Sequence, residues 1–165
     1  MDMAYMDILT AAATHRSENE IIARQLKGYK SQDNITKLKQ YHEDVFREIK
    51  CLSCANCCKT SPPLIVRSDI KRIASYLGIT PRQFERNYVI EDINGEKSFS
   101  KVPCMFLQND NTCSIYEVRP EACRRYPHTD EDDYFFRAAL NVQNTLVCPA
   151  AYLILNKMKS LIERK

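Results

Sequence analysis

Cys51-Leu52-Ser53-Cys54-Ala55-Asn56-Cys57-Cys58 is the densest stretch of chemistry in the chain, and its reading decides how the rest is organised. The pattern is C-x2-C-x2-C-C. Two residues between cysteines let the backbone curl until both sulfurs face one ion or cluster, with N–H groups turned towards the thiolates. The remaining cysteines lie far downstream, at Cys104, Cys113, Cys123 and Cys148. Inert core cysteines would not gather as four within eight positions. Adjacent Cys57 and Cys58 could not join each other in a disulfide without strain. Asp2 and Asp7 stand where an export signal carries positive charge, so the expected setting is cytoplasmic and reducing, where stable disulfides are rare. Metal ligation is the leading reading of Cys51, Cys54, Cys57, Cys58, Cys104, Cys113, Cys123 and Cys148.

A donor set made of sulfur selects zinc, an iron–sulfur cluster or Cu(I), and argues against magnesium and calcium. Eight thiolates suffice for two tetra-cysteine sites. One partition is chemically suggestive: Cys51, Cys54 and Cys57 with the remote Cys148-Pro149 echo the C-x2-C-x2-C and C-P elements of bacterial ferredoxins. Cys58, Cys104, Cys113 and Cys123 would then form a second site. In extended chain, neighbouring residues point opposite ways, which would let Cys57 and Cys58 serve different sites. The competing reading is a single site, with the other cysteines supporting it or packed in the core. Lys59, Arg119, Arg124 and Arg125 offer local countercharge, and Cys148 at a helix N-terminus would have its thiolate favoured by the dipole. His128 lies close enough to Cys123 to ligate, whereas His15 and His42 fall outside the cysteine region and are expected on the surface.

Working outward, residues 1–49 carry no cysteine and read as an N-terminal helical arm, with residues 50–165 as the cysteine-rich domain. Ser17 and Glu20 have capping-box spacing ahead of Ile21, Ile22 and Leu26, and Gly28 is the expected stop. A helix from about Asn34 to Lys50 places Ile35, Leu38, Tyr41, Val45 and Ile49 on one face, a stripe better suited to packing than to a partner groove. A protein partner docking through this arm is the alternative use of that stripe.

Past the cluster, Pro62-Pro63 forces an extended approach to Ile65 and Val66. Ser68 is positioned to cap a helix through Ile70, Ile73, Ala74 and Leu77 that Gly78 closes. Thr80-Pro81 with Gln83 starts another, burying Phe84 and Tyr88. Asn94-Gly95 predicts a two-residue hairpin turn. Gly28, Gly78 and Gly95 each stand where a positive φ would be useful. Pro120 should open a short helix bearing Cys123. Thr129–Asp133 reads as an acidic surface loop, a helix follows around Phe135–Asn144, and Cys148-Pro149 opens the last helix. The fold class is mainly α with small β-hairpins, a cysteine-rich single domain organised by metal, with the N-terminal arm appended.

Composition narrows the function. A formal charge of +3 in 165 residues gives no default attraction to nucleic acid. The longest apolar run, Cys148 to Leu155, is too short to cross a membrane. No Ser-His-Asp order, phosphate-cradling loop or HExxH motif appears, so catalytic residues are unassigned and an enzyme is the less favoured class.

Together, Cys51-x2-Cys54-x2-Cys57-Cys58, Pro103-Cys104-x-Phe106-Leu107 and Cys113-Ser114-Ile115-Tyr116-Glu117-Val118-Arg119-Pro120-x2-Cys123-Arg124-x-Tyr126-Pro127 resemble the YkgJ-like CxxCxxCC cysteine-cluster family. The likeness covers roughly residues 50–150. It implies zinc or iron chelation through the cysteines, at one or two sites, with the cellular role open. A flagellin lysine methylase carries a similar cluster, so the resemblance also admits an iron–sulfur-dependent enzyme or redox carrier, with Tyr116, Arg119, Arg124 and Tyr126 as residues that could line a cleft. Members usually have Gly after the second cysteine. This chain has Ala55 there, and its turn is expected to avoid positive φ. Many also have Pro where this chain has Met105.

Overall fold

The computed structural model describes residues 3–163. The helices are α1 (Met3–Thr14), α2 (Arg16–Gln25), α3 (Gln32–Glu48), α4 (Cys51–Cys54), α5 (Asn56–Thr60), α6 (Arg67–Tyr76) and α7 (Pro81–Tyr88). After the strands β1 (Val89–Glu91) and β2 (Lys97–Phe99) come α8 (Glu121–Arg125), α9 (Ala138–Thr145) and α10 (Pro149–Glu163). The fold is mainly α with one small antiparallel pair, as the patterning implies. Two compact units divide the chain: Met1–Cys54 with Pro127–Lys165, and Ala55–Tyr126.

In the first unit the stripe on α3 is core. Ser31 caps the helix by accepting the Asn34 N–H at 3.2 Å, and Ile35, Leu38, Val45 and Ile49 are buried in one cluster with Ile154, Leu155 and Met158 of α10. Each such side chain stabilises by about 1.5–3 kcal/mol relative to exposure. The boundary read at residues 49/50 therefore lies inside this unit, because the last helix covers the helices before the cysteines. Three expectations are corrected here. Ser17 lies within α2 and does not cap it: the preceding α1 runs to Thr14, and His15 accepts the Asn19 N–H at 2.9 Å, so the helical path hardly breaks. Gly28 sits in a 3₁₀ turn, Leu26–Tyr29, outside the left-handed region. His42 is half-buried, with Nδ1 2.9 Å from Thr129 Oγ1 and its ring against Phe46.

In the second unit the Pro62-Pro63 extension brings Leu64 into a bridge with Ser98, and the Ile65 N–H donates to Lys97 O at 2.8 Å. Val66, not Ser68, is the N-cap of α6, and the Asp69 carboxylate accepts its N–H at 3.2 Å. Gly78 ends the helix at φ +69°. Thr80 and Gln83 form the reciprocal box predicted for α7. The hairpin pairs Val89 with Phe99 and Glu91 with Lys97. Its loop is one residue longer than predicted: Asp92 N–H donates to Glu96 O, leaving Ile93, Asn94 and Gly95, with Gly95 at φ +81°. Asp92 imposes this by accepting the N–H groups of Asn94 and Glu96, both at 2.8 Å. Ile65, Ile70, Ile73, Ala74, Phe84, Phe99, Phe106 and Ile115 make the core. Among the described residues, no helix is long and apolar enough to cross a membrane.

Candidate metal centre

Cys51, Cys54 and Cys148 belong to the first unit. Tyr5 on α1 accepts the Lys50 N–H at 3.0 Å, pinning the chain one residue before the cluster, and Ser53 N–H returns to Lys50 O at 3.0 Å. The single turn of α4 buries Cys54 in the core and leaves Cys51 exposed. Cys148 is held from the other side of the sequence by its N–H, which donates to Asn144 O at 2.8 Å, while Asn144 Nδ2 donates to Pro127 O. The first-turn N–H groups of Ala150 and Ala151 reach the Cys148 sulfur, the help expected from the start of α10. Burial outweighs them. It pushes the thiol up to about 12, with Cys51 and Cys54 adding to the rise, so the dipole does not leave a net thiolate at Cys148.

Cys57, Cys58, Cys104, Cys113 and Cys123 belong to the second unit. Ala55 is buried, and at φ +48°, ψ +20° it occupies the left-handed region the sequence reading expected it to avoid. Ala55 is the one residue between α4 and α5, and the chain turns from one helix to the other through it. The premise for Cys57 and Cys58 is corrected too. They lie on helix α5 and not on extended chain, with sulfurs 4.0 Å apart. A hydrogen bond from Cys57, opposed by burial and helped by Lys59, lowers Cys58 to about 7. Cys104 N–H donates to Cys58 O at 2.8 Å, so the backbone joins the two cysteine-bearing segments.

The sulfurs of this unit meet backbone donors. Phe106 and Leu107 N–H groups reach Cys104, and Ile115 N–H reaches Cys113. Burial raises both thiols nonetheless, as do their neighbours: Cys58 and Cys113 act on Cys104, and Cys58 acts on Cys113. Cys123 is pushed up to about 12, by burial first and then by Cys58, Cys104 and Cys113. Arg119 opposes the rise at Cys113 and Cys123, the countercharge predicted for it.

Arg119 and the Cys123 helix are held by a clamp that the sequence reading missed. Asp69, almost fully buried, binds Arg72 Nη2 at 2.6 Å and accepts the Glu121 N–H at the start of α8. Arg72 also donates to Arg119 O at 2.9 Å. The visible signal was weak: an acid in the first turn of a helix ordinarily serves only that helix. The basic residues nearby are used locally. Arg119 stacks over Tyr116, 3.8 Å from the ring centre, and donates to Tyr116 O, while Arg124 donates to Glu117 O.

His128 Nδ1 binds Glu131 Oε1 at 2.8 Å, and Glu131 in turn binds Arg137 at 2.6 Å. His128 and Cys123 fall in different units. Among the described residues, no three His, Cys, Asp or Glu side chains are already gathered into a metal-holding group. The thiols are instead electrostatic neighbours with N–H donors on three sulfurs, a donor set that fits a thiophilic metal.

No curated protein and no solved structure matches the chain. One family model does, over residues 50–149, and its description reads "CxxCxxCC: Putative zinc- or iron-chelating domain". That span holds every cysteine together with the Tyr116–Arg119 and Cys123–Tyr126 stretches just described, so the chain belongs to the CxxCxxCC family.

Proposed function

We propose that this chain binds zinc or an iron–sulfur centre through its cysteine thiolates and uses it to organise its own fold. Cys58, Cys104, Cys113 and Cys123 form one ligand group, and Cys51, Cys54 and Cys148 belong to another, with Cys57 beside Cys58. The observation that carries the reading is the second unit's quartet: Cys58 acts on the thiols of Cys104, Cys113 and Cys123 across separate chain segments, Cys104 and Cys113 act on Cys123 as well, the Cys104 N–H binds Cys58 O, and Cys104 and Cys113 receive backbone N–H groups. Such donors stabilise a thiolate once a metal displaces its proton. Bound zinc would supply a rigid cross-link, whereas an iron–sulfur cluster would add one-electron chemistry. A reducing, cytoplasmic setting goes with this use of cysteine.

Anaerobic purification followed by elemental analysis and an absorption spectrum of the same sample tests the proposal. Zinc at one or two per chain in a colourless sample supports a structural centre. Iron with matching sulfide and broad absorption near ~400 nm supports a cluster. A chain that holds neither metal, and takes up neither under reducing conditions, is not a chelating protein.

A further inference from the structure

The two units differ in how much support the polypeptide itself provides. The first buries seventeen apolar residues in one cluster, built on the long helices α3 and α10. The second buries eight, and its longest helix has ten residues. From Ser100 to Pro120 its regular structure is an isolated Leu107–Cys113 bridge and the 3₁₀ turn Tyr116–Val118. A unit spanning 55–126 falls in the size range, below about 70–80 residues, where a core alone rarely supplies more than about 3–5 kcal/mol. Its four grouped cysteines sit on α5, on the Cys104 turn, on the bridge and on α8; the two helices have only five residues each, and the other two pieces lie outside any helix or strand.

Resting on the chelation reading, we infer that occupancy of the Cys58–Cys104–Cys113–Cys123 group is an order–disorder switch for residues 55–126, while the helices of the first unit keep their fold with or without metal. One ligated ion joins segments 58, 104, 113 and 123, so ligation closes loops whose entropy the small core does not offset. The first unit has no such need, since α3 and α10 bury one another's apolar faces.

Hydrogen exchange on the full chain tests this. Metal content is measured on the same samples: as purified, stripped by a strong chelator under reductant, and reloaded with Zn2+ alone. Stripping should cut protection in 65–76, 81–88 and 97–106 by at least about a hundredfold, leaving α3 and α10 within about threefold, and Zn2+ should restore it. Cys123→Ser should reproduce the stripped pattern even with Zn2+ present, and Cys148→Ser should leave 55–126 protected. Verified metal-free chain with 55–126 still protected overturns the switch alone, as does equal loss in α3 and α10. A chain that contains no metal and takes up none overturns the switch and the chelation reading together.

Discussion

Ala55 holds a left-handed backbone that costs an L-residue with a β-carbon about 1–2 kcal/mol. Removing that carbon relieves the strain and loses one buried methyl, worth about 0.8 kcal/mol. Ala55→Gly is therefore expected to stabilise the chain by about 0.5 kcal/mol, a Tm rise of a degree or two in calorimetry. A β-branched residue there should lower Tm. The sequence named this position but misjudged it, because spacing shows that a turn is needed and not which dihedral makes it. The thiols carry a second expectation. Cys123 and Cys148, pushed up to about 12 by burial, must release protons when they ligate. Metal affinity should fall about tenfold per released proton for each pH unit of acidification. Cys58, already lowered to about 7, contributes to that slope only near and below neutrality. Chelator competition across a pH series measures the slope, and a pH-independent affinity would show that these thiols are not ligands.

The clamp of Asp69, Arg72, Arg119 O and Glu121 N–H joins α6 to the segment bearing Cys123. Asp69→Ala takes the carboxylate from Arg72, which keeps only Arg119 O, and leaves the Val66 and Glu121 N–H groups without their acceptor. With Arg72 about one-third exposed, the expected loss is about 2–3 kcal/mol, below the full cost of breaking a buried pair. Denaturant unfolding followed by a probe in residues 55–126 reads it. Elements with local chemistry were legible: Thr80 with Gln83, the stripe of α3, Gly78, and Pro149 at the start of α10. Elements decided by which N–H groups a carboxylate finds were not. Asp92 lengthens the hairpin loop by taking two N–H groups, and Asp69 serves a helix fifty-two residues away. The Ser17 reading failed because α1, with only Tyr5 and Ala12 buried, shows little amphipathic pattern to announce that a helix already precedes it.

Across the molecule, Glu131 ties the segment entering the first unit's second half. Burial works to raise its carboxyl, but hydrogen bonds from His128 and Arg137 prevail and hold it below the ordinary range. A depressed acid contributes stability above its unfolded pKa and loses that contribution as pH falls through its folded pKa. Glu131→Gln replaces the charged acceptor of His128 and Arg137 with a neutral amide and should cost about 1 kcal/mol at neutral pH, with the deficit shrinking in acid as the wild-type carboxyl protonates. Thermal unfolding of both chains over a pH series checks the sign. The family likeness was legible at this scale, since residue types and spacing survive in one dimension. The division of the chain was not, because α3 finds α10 more than a hundred residues later. That arrangement sets a timetable for the nascent chain. All of residues 55–126 are synthesised before α10, so α3 waits through them for its partner, and the polypeptide must keep Ile35, Leu38 and Val45 from aggregating until α10 emerges.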